Sequence, residues 1–310
     1  LIYNMLILLS CGGNESANGP VEENSIVIDL NAAKNYSNNN EIEVVTWNVK
    51  EFPQSIYTVG FVKHLLESWN ADIYFLQEIT VGQETELINM VNSMENYSVM
   101  LSEYSNYSKF ALIYNDKFIT HNSKKELWID QDYNFAGKPP MENFISWNNG
   151  SKSFDLYLIG VHYKCCSATD GSNEDRRHQA SLMLSDYILN NHTQNNVILL
   201  GDFNNVGDQN IFNRTLSPFT DKENFDSASS FQLTDLNILN GPPSGYSWQG
   251  WRSQYNPAHF DHIIINEQLF DENDNSQVLI ISTPLETGIS PSSVDITISD
   301  HQPVLYIFNP

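Results

Sequence analysis

The chain has 310 residues, 41% hydrophobic and 12% aromatic. That is enough to bury a core in one large α/β domain, and it excludes a globally disordered chain despite the abundance of Asn and Ser. The formal net charge of −23 is repelled at long range by phosphate backbones, which counts against a protein that coats nucleic acid through a basic surface. It does not exclude an enzyme of phosphate chemistry, because a bound cation screens charge locally.

The chain opens LIYNMLILLSCGG. Its apolar run, Leu6 to Leu9, is too short to span a bilayer. Leu8-Leu9-Ser10-Cys11 resembles the lipobox of bacterial lipoproteins, in which the signal is cut before the Cys and the Cys is acylated. Residues 1–11 are therefore expected to be a signal segment with a truncated start, with Cys11 as the lipidated residue. Residues 12–40, containing NGP and SNNN, read as a polar linker. This places the protein outside the cytoplasm as a bacterial membrane lipoprotein, periplasmic or on the cell surface, with the bilayer as a partner through the anchor.

From Glu41 onward strands and helices alternate. Residues 41–47 (EIEVVTW) alternate polar and apolar side chains, the period of a strand. Residues 58–69 place Val59, Val62, Leu65, Leu66 and Trp69 on one face of an amphipathic helix. Residues 72–78 predict a buried strand and 84–93 a helix. Strands are expected at 97–101, 109–114, 142–147 and 155–163. Residues 174–190 put Ala180, Met183, Leu184, Tyr187 and Ile188 on the apolar side of a helix. Strands at 196–203, 259–266, 277–282 and 303–308 complete the pattern. No repeat and no domain break interrupts 41–310. Many strands with helices between them, and no Rossmann glycine pattern, predict two packed sheets with helices outside.

Of the remaining cysteines, Cys165 and Cys166 are adjacent, and neighbours cannot close an ordinary disulfide without straining the peptide between them. With His162 they fit no common zinc spacing.

Polar residues gather where the apolar strands end. Asn48 follows the first strand, Glu78 the second, and His162 the one at 155–161. Gly201-Asp202-Phe203-Asn204 follows 197–200. Asp261 opens its strand, and Ser299-Asp300-His301 precedes the last. Ligands in α/β sheets collect at strand ends, so one shared site is expected. Glu78 is a hard anionic ligand suited to Mg²⁺, and Asn48 offers an amide oxygen. Asp202 and Asn204, two apart in extended chain, should face the same way, one handling water or metal and the other a phosphate oxygen. Asp261 can hold the imidazole of His301 in one tautomer.

The motifs TWNV, LQE, GVHYK, GDFN, FDHI and SDHQPV stand in the order of the endonuclease/exonuclease/phosphatase superfamily, and the chain resembles that family over residues 41–310. The resemblance implies a catalytic domain with a four-layer α/β/β/α sandwich of two packed mixed β-sheets flanked by helices, the DNase I-like fold. It implies metal-site roles for Glu78 and Asn48, with Asp300 near the metal. Asp202 and Asn204 then resemble the pair that handles water and phosphate, and Asp261, Asp300 and His301 the group around the essential His. His162 resembles the second His of the DNase I-like and sphingomyelinase-like branches, although no acidic partner for it is evident near Tyr107-Ser108-Lys109. Tyr107 matches an active-site Tyr of the exonuclease III-like branch, or is a strand-edge aromatic.

Arg176 and Arg177 begin a helix, where cations oppose the dipole. A phosphate clamp would explain them. Trp248, Trp251 and Tyr255, ahead of Asp261, stack on a base, meet a lipid headgroup, or pack as an ordinary loop.

The expected activity is hydrolysis of a phosphodiester using Mg²⁺ (or Mn²⁺ or Ca²⁺), with metal and His assisting attack of water on phosphorus. An extracytoplasmic nuclease acting as a monomer is the first expectation. A phospholipase C or sphingomyelinase-like enzyme, or a sugar-phosphate phosphatase, is the alternative. A non-catalytic binding module on the same fold is the rival class, and the intact acid, amide and His set argues against it.

Overall fold

The computed structural model describes residues 33–105 and 107–310. The signal segment 1–11, Cys11 and residues 12–32 of the expected linker lie outside the described residues. Residues 33–40 are docked rather than free. Lys34 N–H donates to Glu286 Oε2 at 2.6 Å and Tyr36 N–H to the Trp69 carbonyl at 2.9 Å. Ala33 and Tyr36 pack against buried side chains of the domain, so the packed chain begins before Glu41.

The described strands are β1 (Ile42–Phe52), β2 (Ile73–Thr80), β3 (Tyr97–Leu101), β4 (Ser108–Asn115), β5 (Ile119–Glu126), β6 (Met141–Asn148), β7 (Ser153–His162), β8 (Val197–Asp202), β9 (Phe231–Leu233), β10 (Asp261–Asn266), β11 (Gln277–Ile280) and β12 (Val304–Phe308). They form two six-stranded sheets among the described residues, in the orders β11-β12-β1-β2-β4-β3 and β5-β6-β7-β8-β10-β9. Each sheet is mixed. Its one parallel pair is β1–β2 in the first sheet and β7–β8 in the second.

The layering follows from which side of each strand is apolar. Along β1, Ile42 and Val44 point into the core between the sheets, and Val45, Trp47 and Val49 point outward under helices. A strand covered on both faces reads as a continuous apolar run, which is why β1 and β2 carry little polar character until their ends. Helices α1 (Thr58–Trp69) and α2 (Glu84–Asn92) cover the first sheet. Helix α3 (Ser172–Asn191) covers the second through Ala180, Leu184 and Ile188. The four-layer α/β/β/α sandwich is therefore observed. Phe75 of β2 lies against Gly160 of β7, where a Cβ would fall 1.7 Å from its ring, so the sheets meet closely at that glycine.

Two strands escape the sequence pattern. β5 reads ITHNSKKE and is mostly polar because it is a sheet edge, where Lys124 and Lys125 blunt the unpaired side. β9 has three residues, too few to show a period.

Candidate active site

Three neighbouring strands bring three site residues together by register alone. In the parallel β7–β8 pair His162 faces Asp202, and in the antiparallel β8–β10 pair Asp202 faces Asp261. Gly201 permits this approach, since at φ 138° a Cβ there would lie 2.0 Å from the Val161 carbonyl oxygen. The first sheet contributes Asn48 and Glu78 across the sandwich. The β1–β2 register shifts between Asn48 and Phe52, and the β2–β4 register between Leu76 and Ile79. Such irregularities re-aim side chains at sheet ends. Glu78 accordingly sits at φ 66°, a left-handed backbone that non-glycine residues adopt mainly where packing enforces it.

Glu78, His162, Asp202, Asn204 and His301 line one cleft of about 880 Å³. Asn48 and Asp261 stand directly behind it. The Asn48 amide nitrogen donates to Glu78 Oε1 and to Asp202 Oδ2, each at 3.0 Å. Its oxygen accepts from Lys50 N–H at 2.9 Å. Turning the amide over would set its NH₂ against that N–H and its oxygen against two carboxylates. Asn48 thus holds two acids together, where the sequence reading placed its amide oxygen on a metal. Glu78 Oε2 is fixed by the Glu51 N–H at 3.0 Å.

His301 Nδ1 bonds Asp261 Oδ2 at 2.7 Å, and its Nε2 lies 3.9 Å from Asp202 Oδ2. Burial opposes the imidazolium, but Asp261, then Asp202 and Asp300, outweigh it and raise the pKa to about 10. Asp202 moves the other way. Burial, with Asp261 adding repulsion, raises its carboxyl to about 7 against the pull of His301. His162 is held neutral, well below the ordinary value, by burial and then by Lys138, His301 and Lys164. The acids nearest it are Glu78 at 3.6 Å and Asp202 at 3.7 Å, not a residue around Tyr107. His162 Nδ1 and Asp261 Oδ1 are buried with no hydrogen-bond partner among the described residues.

Asp300 is committed to structure as well as charge. Its Oδ2 accepts from Trp248 Nε1 at 3.1 Å and pairs with Lys50 Nζ at 3.0 Å. Burial is outweighed by His301 and Lys50, which hold its carboxyl below the ordinary value. Asn204 departs from the expected geometry. β8 ends at Asp202 and Asn204 has φ 46°, so the two are not alternate residues of one extended strand. Asp202 Oδ1 instead accepts from the Asn204 N–H at 2.8 Å, and that turn brings the Asn204 side chain back to the cleft.

The three proposed phosphate contacts lie elsewhere. Tyr107 is 74% exposed and packs over Gly137, off the cleft lining. Arg176 gives its guanidinium to the Tyr133 carbonyl and stacks on the Tyr133 ring. Arg177, 2% exposed, donates to the carbonyls of Lys164 and Cys166. The unfavourable helix-start position of these arginines is explained by loop anchoring and not by a phosphate clamp. Of the aromatic loop, Trp248 and Tyr255 line the cleft with Tyr246 and Phe260, whereas Trp251 packs under the first sheet's outer layer.

The sequence reading missed Lys138, buried with its Nζ 3.5 Å from the Tyr163 carbonyl. Burial lowers its pKa to about 8 against the opposing pull of Glu78 and Asp202. Its only signal was a lysine wedged between Gly137 and Pro139-Pro140 ahead of a strand. Also missed was the fully buried set Asp235, His259 and His262. Asp235 Oδ2 lies 2.5 Å from His259 Nε2 and 2.7 Å from His262 Nδ1, and His262 Nε2 meets Asn205 Oδ1 at 3.1 Å. This network ties the start of β10 to the residue after Asn204.

The donor set suits a hard cation. Glu78 and Asp202 converge on one point and are close enough to share the Asn48 amide, and the His162 Nε2 lies 3.6 and 3.7 Å from their oxygens. A divalent ion there would relieve the burial that raises Asp202. The ligand atoms of Asp202, Asp261 and His301 also lie within 4.8 Å of one another. The direct Asp261–His301 bond is better read as a proton-holding pair.

A family model described as Endonuclease/Exonuclease/phosphatase family matches residues 45–301. No curated protein matches the chain significantly. Among solved structures, an AP endonuclease from Archaeoglobus fulgidus superposes with a TM-score of 0.63 at 14% identity, covering 87% of this chain and 100% of that one. D. rerio TDP2, in complex with single strand DNA product, gives 0.62 at 14% identity over 87% and 99%. The human Nocturnin catalytic domain with bound sulfate gives 0.59 at 14% identity over 87% and 94%. These likenesses agree with the two-sheet architecture.

Proposed function

The chain belongs to the endonuclease/exonuclease/phosphatase family and is a phosphoester hydrolase, and from that premise we propose a divalent-metal-dependent phosphodiesterase whose substrate is a nucleic-acid strand. The observation that carries the reading is the hydrogen-bonded Asp261–His301 pair facing buried Asp202 at the floor of a cleft with one aromatic wall.

Each residue has a task its surroundings equip it for. Against the cost of burial, Asp261, with Asp202 and Asp300, favours the imidazolium form of His301. That form donates from Nε2 to a phosphoryl oxygen, and Asp261 fixes the ring's orientation and supports its charge. Asp202, on the cleft floor with its Oδ2 3.9 Å from His301 Nε2, is placed to orient the attacking water and take its proton. Asn204 and neutral His162 offer uncharged donors to the other phosphoryl oxygens. Glu78, with Asp202 beside it and Asn48 behind, would hold Mg²⁺, Mn²⁺ or Ca²⁺. Such an ion supplies Lewis-acid neutralisation of the phosphate charge. Lys50 and Trp248 keep Asp300, and hence His301, in place. Tyr255, 70% exposed at the cleft wall beside Trp248 and Phe260, offers a ring on which a base could stack, which supports a nucleic-acid substrate over a bare phosphate monoester.

Hydrolysis of plasmid DNA, sphingomyelin and inositol phosphates is measured in parallel, with and without EDTA. DNA should be cleaved fastest, EDTA should abolish cleavage, and added Mg²⁺ or Mn²⁺ should restore it. Faster turnover of sphingomyelin or of an inositol phosphate would overturn the nuclease assignment, and full activity in chelator would overturn the metal dependence.

The LLSC segment supports the further reading of a lipoprotein outside the cytoplasm, anchored to a bilayer through Cys11. Expressed behind an initiator Met in a bacterial host, the protein should incorporate labelled fatty acid, and Cys11→Ser should not. Absence of label on the wild type would remove the anchor from this account.

A further inference from the structure

Beyond β7 the chain turns through Tyr163, Lys164, Cys165 and Cys166 before reaching α3. In an extended segment adjacent side chains point to opposite sides. Here Cys166 takes φ 67°, which folds both sulfurs to one side with Sγ–Sγ at 2.9 Å. Both thiols are exposed and line the cleft that holds Glu78, His162, Asp202 and His301. Nothing in the hydrolytic reaction uses them.

The turn is clamped by its neighbours. Arg177 Nη1 donates to the carbonyls of Lys164 at 2.9 Å and Cys166 at 3.0 Å. Asn173 Nδ2 donates to the carbonyls of Cys165 at 3.3 Å and Cys166 at 3.4 Å. The two sulfurs are not equivalent. The Lys164 ammonium lies 3.9 Å from Cys165 Sγ, and the Cys166 thiol donates to the same sulfur. That hydrogen bond, followed by burial, pushes the Cys166 thiol up to about 11.

We propose that Cys165 and Cys166 form a redox-active vicinal dithiol that closes reversibly to a disulfide at the cleft rim and closes the cleft to substrate. With a low-molecular-weight disulfide as oxidant, Cys165 Sγ attacks one sulfur and expels a thiolate, leaving a mixed disulfide. Cys166 gives its proton to that thiolate and attacks Cys165 Sγ, expelling the second thiolate. The protein loses two electrons and two protons, and the oxidant leaves as two thiols.

Consecutive Cα atoms are about 3.8 Å apart, nearer than ordinary disulfides span. Closing the eight-membered ring therefore rotates the peptide between the cysteines. That rotation pulls the Cys165 and Cys166 carbonyls from Asn173 and Arg177 and shifts the rim loop. Strained, exposed disulfides are readily reduced, as a reversible switch requires. The effect on turnover rests on the phosphodiesterase reading. The thiol chemistry and the loop shift do not.

The test exposes the full chain to oxidised glutathione, then digests it with trypsin after denaturation. Lys164 and Arg176 bound one peptide holding both thiols and no other cysteine, so Cys11 does not interfere. This peptide should become two hydrogens lighter and regain them with dithiothreitol. In the native oxidised protein, limited tryptic cleavage at Lys164 and Arg177 should accelerate. Turnover should fall on the order of tenfold, as expected for a small displacement at a site, and recover on reduction. Cys165→Ser and Cys166→Ser should each keep basal turnover and lose the response. Thiols that stay free, a glutathione adduct that never resolves, or a disulfide that changes neither proteolysis nor turnover would each overturn the proposal. If no substrate is turned over at all, the phosphodiesterase reading fails, while the peptide masses and proteolysis still decide the switch.

Discussion

His301 shows how a single side chain acquires chemistry from its surroundings. Its charge is favoured in the fold because Asp261 is 2.7 Å away, and general acid–base or charge-stabilising groups of this kind contribute about 10²–10⁴-fold to rate. His301→Ala should lower kcat by about that factor with unchanged circular dichroism. Asp261→Asn should also be slow, and the double mutant should be no worse than the poorer single, because the pair acts as a unit. Losses that multiply would mean independent residues. The pH dependence has a definite sign. A His raised to about 10 contributes stability that is full below its unfolded pKa of about 6.5 and is lost as pH rises through about 10. Turnover should therefore hold through mild alkali and decline near pH 10 if the imidazolium is the active form. Turnover lost instead as pH falls through about 7, with none lost near pH 10, would fit His301 acting as a base. At the rim, Tyr255 is 70% exposed and available to stack. With stacking worth ~1–3 kcal/mol per base, Tyr255→Ala should raise KM for DNA on the order of tenfold and leave KM for a small phosphodiester unchanged.

Among the elements, the β7–β8–β10 ladder does most to assemble the site. It aligns His162, Asp202 and Asp261 as pair partners, and Gly201 is its tightest point. Gly201→Ala would set a methyl 2.0 Å from the Val161 carbonyl, a backbone atom held in the sheet. A loss of ~1–3 kcal/mol or more, read as a lowered urea midpoint, is expected. The Asp235–His259–His262 network braces the same ladder from behind. His259 accepts the Ser247 N–H on Nδ1 at 3.3 Å and faces Asp235 through Nε2, and burial keeps it below its ordinary pKa. Burial is outweighed at Asp235 by His262 and His259, which hold that carboxyl well below the usual range. Both shifts act in one direction. Below about pH 6.5 the unfolded chain protonates its His before the folded one does, and at lower pH its Asp does likewise. Stability should thus fall from pH 7 toward pH 4, and Asp235→Ala should cost ~3–5 kcal/mol at neutral pH by stripping a buried pairing.

For the molecule as a whole, a charge of −23 would repel the polyanion proposed as substrate. Most nucleic-acid binders weaken with salt because cations on the protein release counterions. On the proposed substrate, long-range repulsion should dominate encounter, and salt screens it within a Debye length of about 8–10 Å at moderate ionic strength. Raising monovalent salt from low levels at fixed Mg²⁺ should therefore increase kcat/KM on DNA and leave a zwitterionic substrate little affected. A steep fall on DNA would show that a local cationic track governs binding.

Much of this was legible in the linear chain because the information is local. Helix α1 was read at its observed limits from apolar spacing, and the strand-end positions of Glu78, His162, Asp202, Asp261 and His301 followed from where apolar runs stop. The two-sheet fold followed from strand count and from motif order. What only the tertiary structure decided depends on long-range partners. Asn48 could not be seen turning its NH₂ to two acids, because those acids lie 30 and 154 residues away. Arg177 seemed free for phosphate until the loop at Lys164 and Cys166 claimed its donors. Asn204 left the extended path where β8 ended, and Lys138 was drawn into the site's electrostatics when folding buried its ammonium against the Tyr163 carbonyl. Periodicity records whether a side chain is buried, whereas a donor's partner and a carboxyl's pKa are set by atoms that only folding brings within a few ångströms.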